Sequence, residues 1–139
     1  MKKNVQISIT GVQETDGEPE EYELVTDGEL ESSEDHTVLS YMESSLTGLD
    51  GTKTTFDVFG KRVILTREGA VSSQMLFEEG RKHYTMYETP IGAVTMGVDT
   101  LGMSSSLENG LGRLDIHYVI DVDSSVVSRN KFKISVREV

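Results

Sequence analysis

Residues 87–100 read YETPIGAVTMGVDT. Pro90 has its φ preset for the second position of a tight turn, and Gly92 can take the positive φ that lets the chain reverse. Thr89, held extended by the proline after it, ends a preceding strand. Beyond the turn, Val94, Met96 and Val98 alternate with Thr95, Gly97 and Asp99, so one row faces an interior and the other faces away. The aromatic, acid, proline and glycine are the materials of a hairpin before they are the materials of a site.

The same period of two runs through most of the chain, in Val5, Ile7 and Ile9, in Val63 and Leu65, in Leu114, Ile116, Tyr118 and Ile120, and in Phe132, Ile134 and Val136. Turn signals stand between these rows: Asp16-Gly17, Asp27-Gly28 with the polar run to Asp35, Gly48 to Gly51, Phe59-Gly60-Lys61, Glu68-Gly69, Glu79-Gly80, Asn109-Gly110, and Asp123 to Asn130. The pattern predicts about ten strands. Leu101 to Gly110 is the one segment read as a short helix or irregular loop. Short connections favour an antiparallel meander, and closing it on itself removes two exposed edges. The expectation is therefore an all-β barrel of about eight to ten strands, in one domain over residues 1–139. A two-sheet sandwich is the alternative, although the Cys and Trp framework of antibody-like domains is absent.

Charge is distributed unevenly. Residues 13–35 hold eleven of the 24 acids and no Lys or Arg, so the net charge of −11 is local to that stretch. A broad basic footprint for nucleic acid is excluded, whereas the acidic hairpin suits either solvation or a basic partner. No cysteine is present, so disulfides, thiolate metal sites and cysteine nucleophiles are excluded. No apolar run reaches membrane-spanning length, and MKKNVQISITG lacks the core of a signal peptide. The expected location is the cytoplasm.

Tyr41-Met-Glu43 with Leu46-Thr-Gly48, Arg67-Glu-Gly69 and Tyr87-Glu-Thr-Pro-Ile-Gly92 occur in that order along the chain. Through them the sequence resembles the DUF1934, or YwiB-like, family of uncharacterised bacterial β-barrel proteins. The resemblance implies a calycin-like closed barrel, similar in shape to lipocalins, and implies no established activity and no cofactor. Met42 stands where that pattern would place a second acid.

Glu43 shares its parity with Leu39 and Tyr41, and Arg67 shares its parity with Val63 and Leu65, so two opposite charges point toward the interior. One reading is a structural ion pair near a barrel end. The other is a carboxylate-binding arginine steered by Glu43, with Tyr41, Tyr87 and Tyr118 supplying wall and hydroxyls. Catalytic templates are missing: there is no Gly-x-Ser-x-Gly elbow, GLDGTKTT at 48–55 departs from a phosphate loop, and the acids of 13–35 lack calcium-loop spacing. His36, His83 and His117 lack zinc-site spacing and read as surface histidines. Two functions remain in view. The first is a non-enzymatic barrel holding a small apolar or amphipathic ligand, a carboxylate among them, at Tyr41, Glu43, Arg67, Tyr87 and Tyr118; the second is an interaction module that uses the acidic hairpin around a packed interior. Monomer and homodimer are both compatible with the pattern. On the outer wall, Arg129, Lys131, Lys133 and Arg137 form a basic stripe and Glu21 and Glu23 an acidic one; they lie one strand apart if the last strand closes against the first.

Overall fold

The computed structural model describes residues 2–15, 17–34, 36–43, 51–69, 72–89, 92–107, 111–122 and 125–139, the side chains of 87–89 excepted. Its elements are β1 (Lys2–Thr15), β2 (Glu18–Ser32), β3 (Thr37–Met42), β4 (Lys53–Phe59), β5 (Arg62–Glu68), β6 (Ser73–Glu78), β7 (Lys82–Thr89), β8 (Gly92–Ser105), β9 (Gly112–Val122) and β10 (Ser125–Glu138). They form one antiparallel sheet in the order β6-β5-β4-β3-β2-β1-β10-β9-β8-β7. Every strand pairs with its sequence neighbours except β6 with β7, and the last strand pairs with the first, as the meander reading requires. The result is a nearly closed barrel. Its seam falls between β6 and β7, where the turn after β6 is tied to β8 by Gly80 N–H to the Thr100 carbonyl and Thr100 N–H to the Arg81 carbonyl.

Alternation builds the core. Ile9 pairs with Leu24 on one side and Ile134 on the other, so one inward row runs across three strands, and Ile7 with Val136 continues it. Phe77, Ile7, Leu30, Leu65, Leu114, Ile116 and Ile134 are almost wholly buried. Each such side chain contributes about 1.5–3 kcal/mol by leaving water. In the β7–β8 hairpin, Thr89 pairs with Gly92. Gly92, with φ +127°, opens β8, and residues 90 and 91, on which the sequence places the turn, lie outside the described residues.

Three boundaries differ from those read off the sequence. Residues 101–105 are neither helix nor loop but continue β8. Thr100 pairs with Tyr118 and Gly102 with His117, so Leu101 is an extra, bulged residue, 49 % exposed. The bulge moves the inward parity from Met96, Val98 and Thr100 to Met103 and Ser105, and that break hid the strand from a period-two reading. Asp27-Gly28 lies inside β2 rather than at a turn. A Cβ on Gly28 would stand 2.4 Å from Ile7 Cδ1 and 2.6 Å from the Ser40 carbonyl oxygen, so glycine is there for close packing across the wall. Most of the polar run from 123 to 130 belongs to β10, which begins at Ser125 and carries its own bulge at Val127.

Candidate functional site

The inner face changes character toward one end of the barrel. Tyr41 of β3 pairs with Thr54 of β4, Thr54 with Arg67 of β5, and Arg67 with Ser73 of β6, giving one inward row across four strands. One step further out, the Glu43 N–H donates to the Thr52 carbonyl at 2.8 Å and thereby continues the β3–β4 pairing. Glu43 is 5 % exposed, and Thr52 and Thr54 are fully buried. Polar side chains thus occupy positions that aliphatic ones hold in the middle of the barrel.

From the other side of the lumen, Tyr22 of β2 folds over Gly11 of β1. A Cβ at Gly11 would lie 2.2–2.4 Å from the Tyr22 ring, so a glycine at this strand position is what lets the ring lie flat against the wall. Tyr22 meets Phe132 edge-on at 6.5 Å, Phe132 meets Tyr118 at 5.5 Å, and Tyr118 meets Phe77 at 4.7 Å. This aromatic series runs from the mouth to the centre of the core and lies in the favourable range for ring pairs.

Between the polar row and the aromatic series lies a cavity of about 330 Å³, lined by Tyr22, Tyr41, Glu43 and Arg67 together with the apolar Ile9, Leu24, Phe56 and Phe132, and reached by Gln13 and Glu23 at its rim. Arg67 Nε and the hydroxyls of Thr52 and Thr54 are buried without a hydrogen-bond partner among the described residues. Buried donors without partners are uncommon and mark places where a further group can bind.

The phenols register this environment. Burial, chiefly, pushes the Tyr22 pKa up to about 12; Arg67 pulls it down and Glu43 pushes it up. Tyr41 is raised by burial first, then by the charge of Glu43 and its hydrogen bond, with Arg67 opposing. Tyr118 is raised by burial first and then by Tyr22, with Arg67 again opposing. In each case the folded protein favours the neutral phenol relative to the unfolded chain, whose value is near 10.0. The corresponding stability is complete below pH 10 and is lost as pH rises toward the folded values. Stability should therefore be insensitive to these groups up to about pH 10 and then fall steeply. In a phenolate absorbance titration, a Tyr41→Phe, Tyr118→Phe variant should retain all the absorbance that develops before unfolding. Loss of a large part of that early signal would show that the two rings ionise in the folded state.

Of the residues picked out by sequence, Tyr41, Glu43 and Arg67 line one cavity. Tyr118 is buried behind Phe132 rather than at the lining. The backbone of Tyr87 pairs with Val94 in the β7–β8 hairpin, and its side chain lies outside the described residues. Sequence reasoning missed Tyr22, Thr52 and Thr54. Tyr22 shares the inward parity of Leu24, and Thr52 and Thr54 share that of Phe56 and Val58, so the signal was present in the alternation. The histidines also differ from expectation. His36 lies 3.0 Å from Asp57 and stacks on Phe59 at 4.0 Å, while His83 lies 3.0 Å from Glu78, so both are partnered and partly buried. Among the described residues no three His, Cys, Asp or Glu side chains cluster as a metal site would require. Among the described residues no helix is long and apolar enough to cross a membrane.

Comparison with known proteins agrees with this architecture. The chain is 28% identical over 118 residues to the uncharacterized beta-barrel protein YwiB of Bacillus subtilis (strain 168), a match covering 85% of this chain and 82% of that protein. The crystal structure of the ywiB protein from Bacillus subtilis superposes with a TM-score of 0.76 at 22% identity, over 96% of this chain and 92% of the other, which is a likeness of fold. The model of a domain of unknown function, DUF1934, matches residues 7–134, and the chain belongs to that family.

Proposed function

We propose that the protein is a non-enzymatic binding module that holds one small amphipathic molecule in the cavity at the Arg67 end of the barrel. The observation that carries this reading is the buried, unpartnered Nε of Arg67, a residue that lines a cavity of about 330 Å³. That volume is at the lower end of the roughly 300–1,000 Å³ usual for small-molecule sites. An oxygen acceptor on the ligand, a carboxylate above all, would accept from Arg67, and its apolar part would rest on Ile9, Leu24, Phe56 and Phe132. Tyr22 would cover it from the mouth. Glu43 sets a limit on the ligand's charge, because a second full anion would meet its carboxylate in a partly dry space.

Native mass spectrometry of the protein purified from its own cells should show a retained species of small mass that disappears on denaturation. A mass equal to the bare chain, together with no small molecule in the organic extract, would count against the reading. The acidic side chains of β2 are exposed on the wall, and one of them, Glu23, also reaches the cavity rim.

A further inference from the structure

We propose that the outer wall formed by β10, β1 and β2 is a self-complementary surface on which a second copy of this chain docks, with the basic stripe of each copy on the acidic stripe of the other. The registers set the charges in rows. Lys133, Thr10 and Glu23 lie in one row, Lys131, Val12 and Glu21 in the next, and Arg137, Gln6 and Asp27 in a third, with Ser135, Ser8 and Val25 between. All of the charged members are exposed. The middle strand is uncharged in these three rows, so each row reads positive, neutral, negative.

Within one copy the ends of a row stand two strand spacings apart, roughly 10 Å. Among the described residues no ion pair joins the two stripes, and the Arg137 guanidinium donates to Gln6 at 2.7 Å instead. On its other side the basic stripe borders β9, where Lys133 pairs with Asp115 and Lys131 with His117. Asp115 has its ion pair with Arg113 at 3.6 Å. The exposed charges of β10 and β2 therefore retain their capacity for an outside partner.

A two-fold axis parallel to β1 and lying against the wall exchanges left for right without moving along the strand. It brings Lys133 opposite the partner's Glu23, Lys131 opposite its Glu21 and Arg137 opposite its Asp27, each twice by symmetry. A two-fold axis across the strands would set basic stripe on basic stripe, so charge selects the first arrangement. The wall is about three strands wide, which makes this a small contact and a weak, salt-sensitive dimer.

The test is sedimentation equilibrium at about 0.1 M salt, where a Debye length near 10 Å screens the distant net charge but not direct contacts, and again at about 1 M. The wild type should associate at the lower salt and dissociate at the higher. Lys131→Glu with Lys133→Glu, and separately Glu21→Lys with Glu23→Lys, should each weaken self-association by more than about tenfold, since like stripes then face each other. An equimolar mixture of the two variants should recover the dimer, because every reversed stripe then meets its opposite. Should either variant fail to fold, zero-length crosslinking of mixed isotopically light and heavy wild-type protein reads the same contact, as a Lys133-to-Glu23 link between copies. A wild type that stays monomeric at the lower salt overturns the proposal. So do variants that dimerise as well as the wild type, or mixed variants that do not associate.

Discussion

Replacing Gly69 with Ala should lower stability by about 3 kcal/mol or more, because it combines a conformational penalty with a backbone collision. Gly69 has φ +140°, a region that side-chain-bearing residues rarely enter. A Cβ there would stand 2.4 Å from the Gly51 carbonyl oxygen and 2.9 Å from Thr52 Cα, and neither is the end of a side chain that could swing away. Any relief must move Gly51 and Thr52. Thr52 accepts the Glu43 N–H, so the disturbance passes directly to the polar end of the cavity. Gly17 is the control: its φ is +79°, yet a Cβ there would touch nothing within 4 Å. Gly17→Ala should cost only the conformational part, about 1 kcal/mol. For a chain of this size the difference corresponds to roughly 8 °C in the thermal midpoint followed by circular dichroism. Equal midpoints for the two variants would show that the approach of Gly51 is not rigid.

Gly69 closes the Arg67-Glu68-Gly69 motif, and the structure separates what its members do. Arg67 points into the lumen, Glu68 pairs with Lys53, and Gly69 admits the neighbouring backbone. Sequence alone supplied the presence of a turn at Gly69 but not the reason for glycine, because the atoms that crowd it come from residues 51 and 52. The strands were legible for the converse reason. Ile7, Ile9, Ile134 and Val136 declare an inward face by local alternation, and the meander follows once each strand pairs with its neighbour. Legibility failed where the alternation itself is broken. Leu101 and Val127 are single inserted residues that shift parity within a continuous strand. Asp27-Gly28 looks like a turn because close packing between strands selects the same residue as chain reversal does.

The candidate site was legible in the same partial way. Parity placed Glu43 and Arg67 on the inside, and both line the cavity. Parity could not say which inward residues converge across the lumen. Tyr22 reaches the site only because Gly11, on the paired strand, leaves space for its ring. Tyr118 shares the inward parity and has a similarly raised pKa, yet Phe132 stands between it and the cavity lining. Which side chain is wall and which is second layer depends on the curvature of the closed sheet, a property of all ten strands together.

Arg67→Leu should abolish retention of the small molecule proposed to bind there and cost about 2–4 kcal/mol of stability, while Arg81→Leu should leave retention unchanged and cost less than about 1 kcal/mol. The difference lies in surroundings. Arg81 follows the β6–β7 turn, with its side chain 71% exposed and 4.0 Å from Glu78, so water and salt already screen its charge. Arg67 lines the same cavity as Glu43, and its charge opposes the burial of Tyr22, Tyr41 and Tyr118. Removing it takes a positive charge from a cavity whose lining includes a carboxylate residue that is 5 % exposed. Partial exposure of the Arg67 side chain keeps the expected cost below the upper end for a fully buried pair. The phenols supply a readout that a loss of packing would not move: with Arg67 gone, all three should rise further and stay neutral to higher pH. Arg67→Lys separates charge from shape. It should keep most of the stability but lose retention, since an ammonium lacks the planar fork that grips a carboxylate through two parallel bonds. Equal midpoints and equal retained species for Arg67→Leu and Arg81→Leu would remove the arginine from the binding role. Retention in Arg67→Lys equal to that of the wild type would show that positive charge alone orients the ligand.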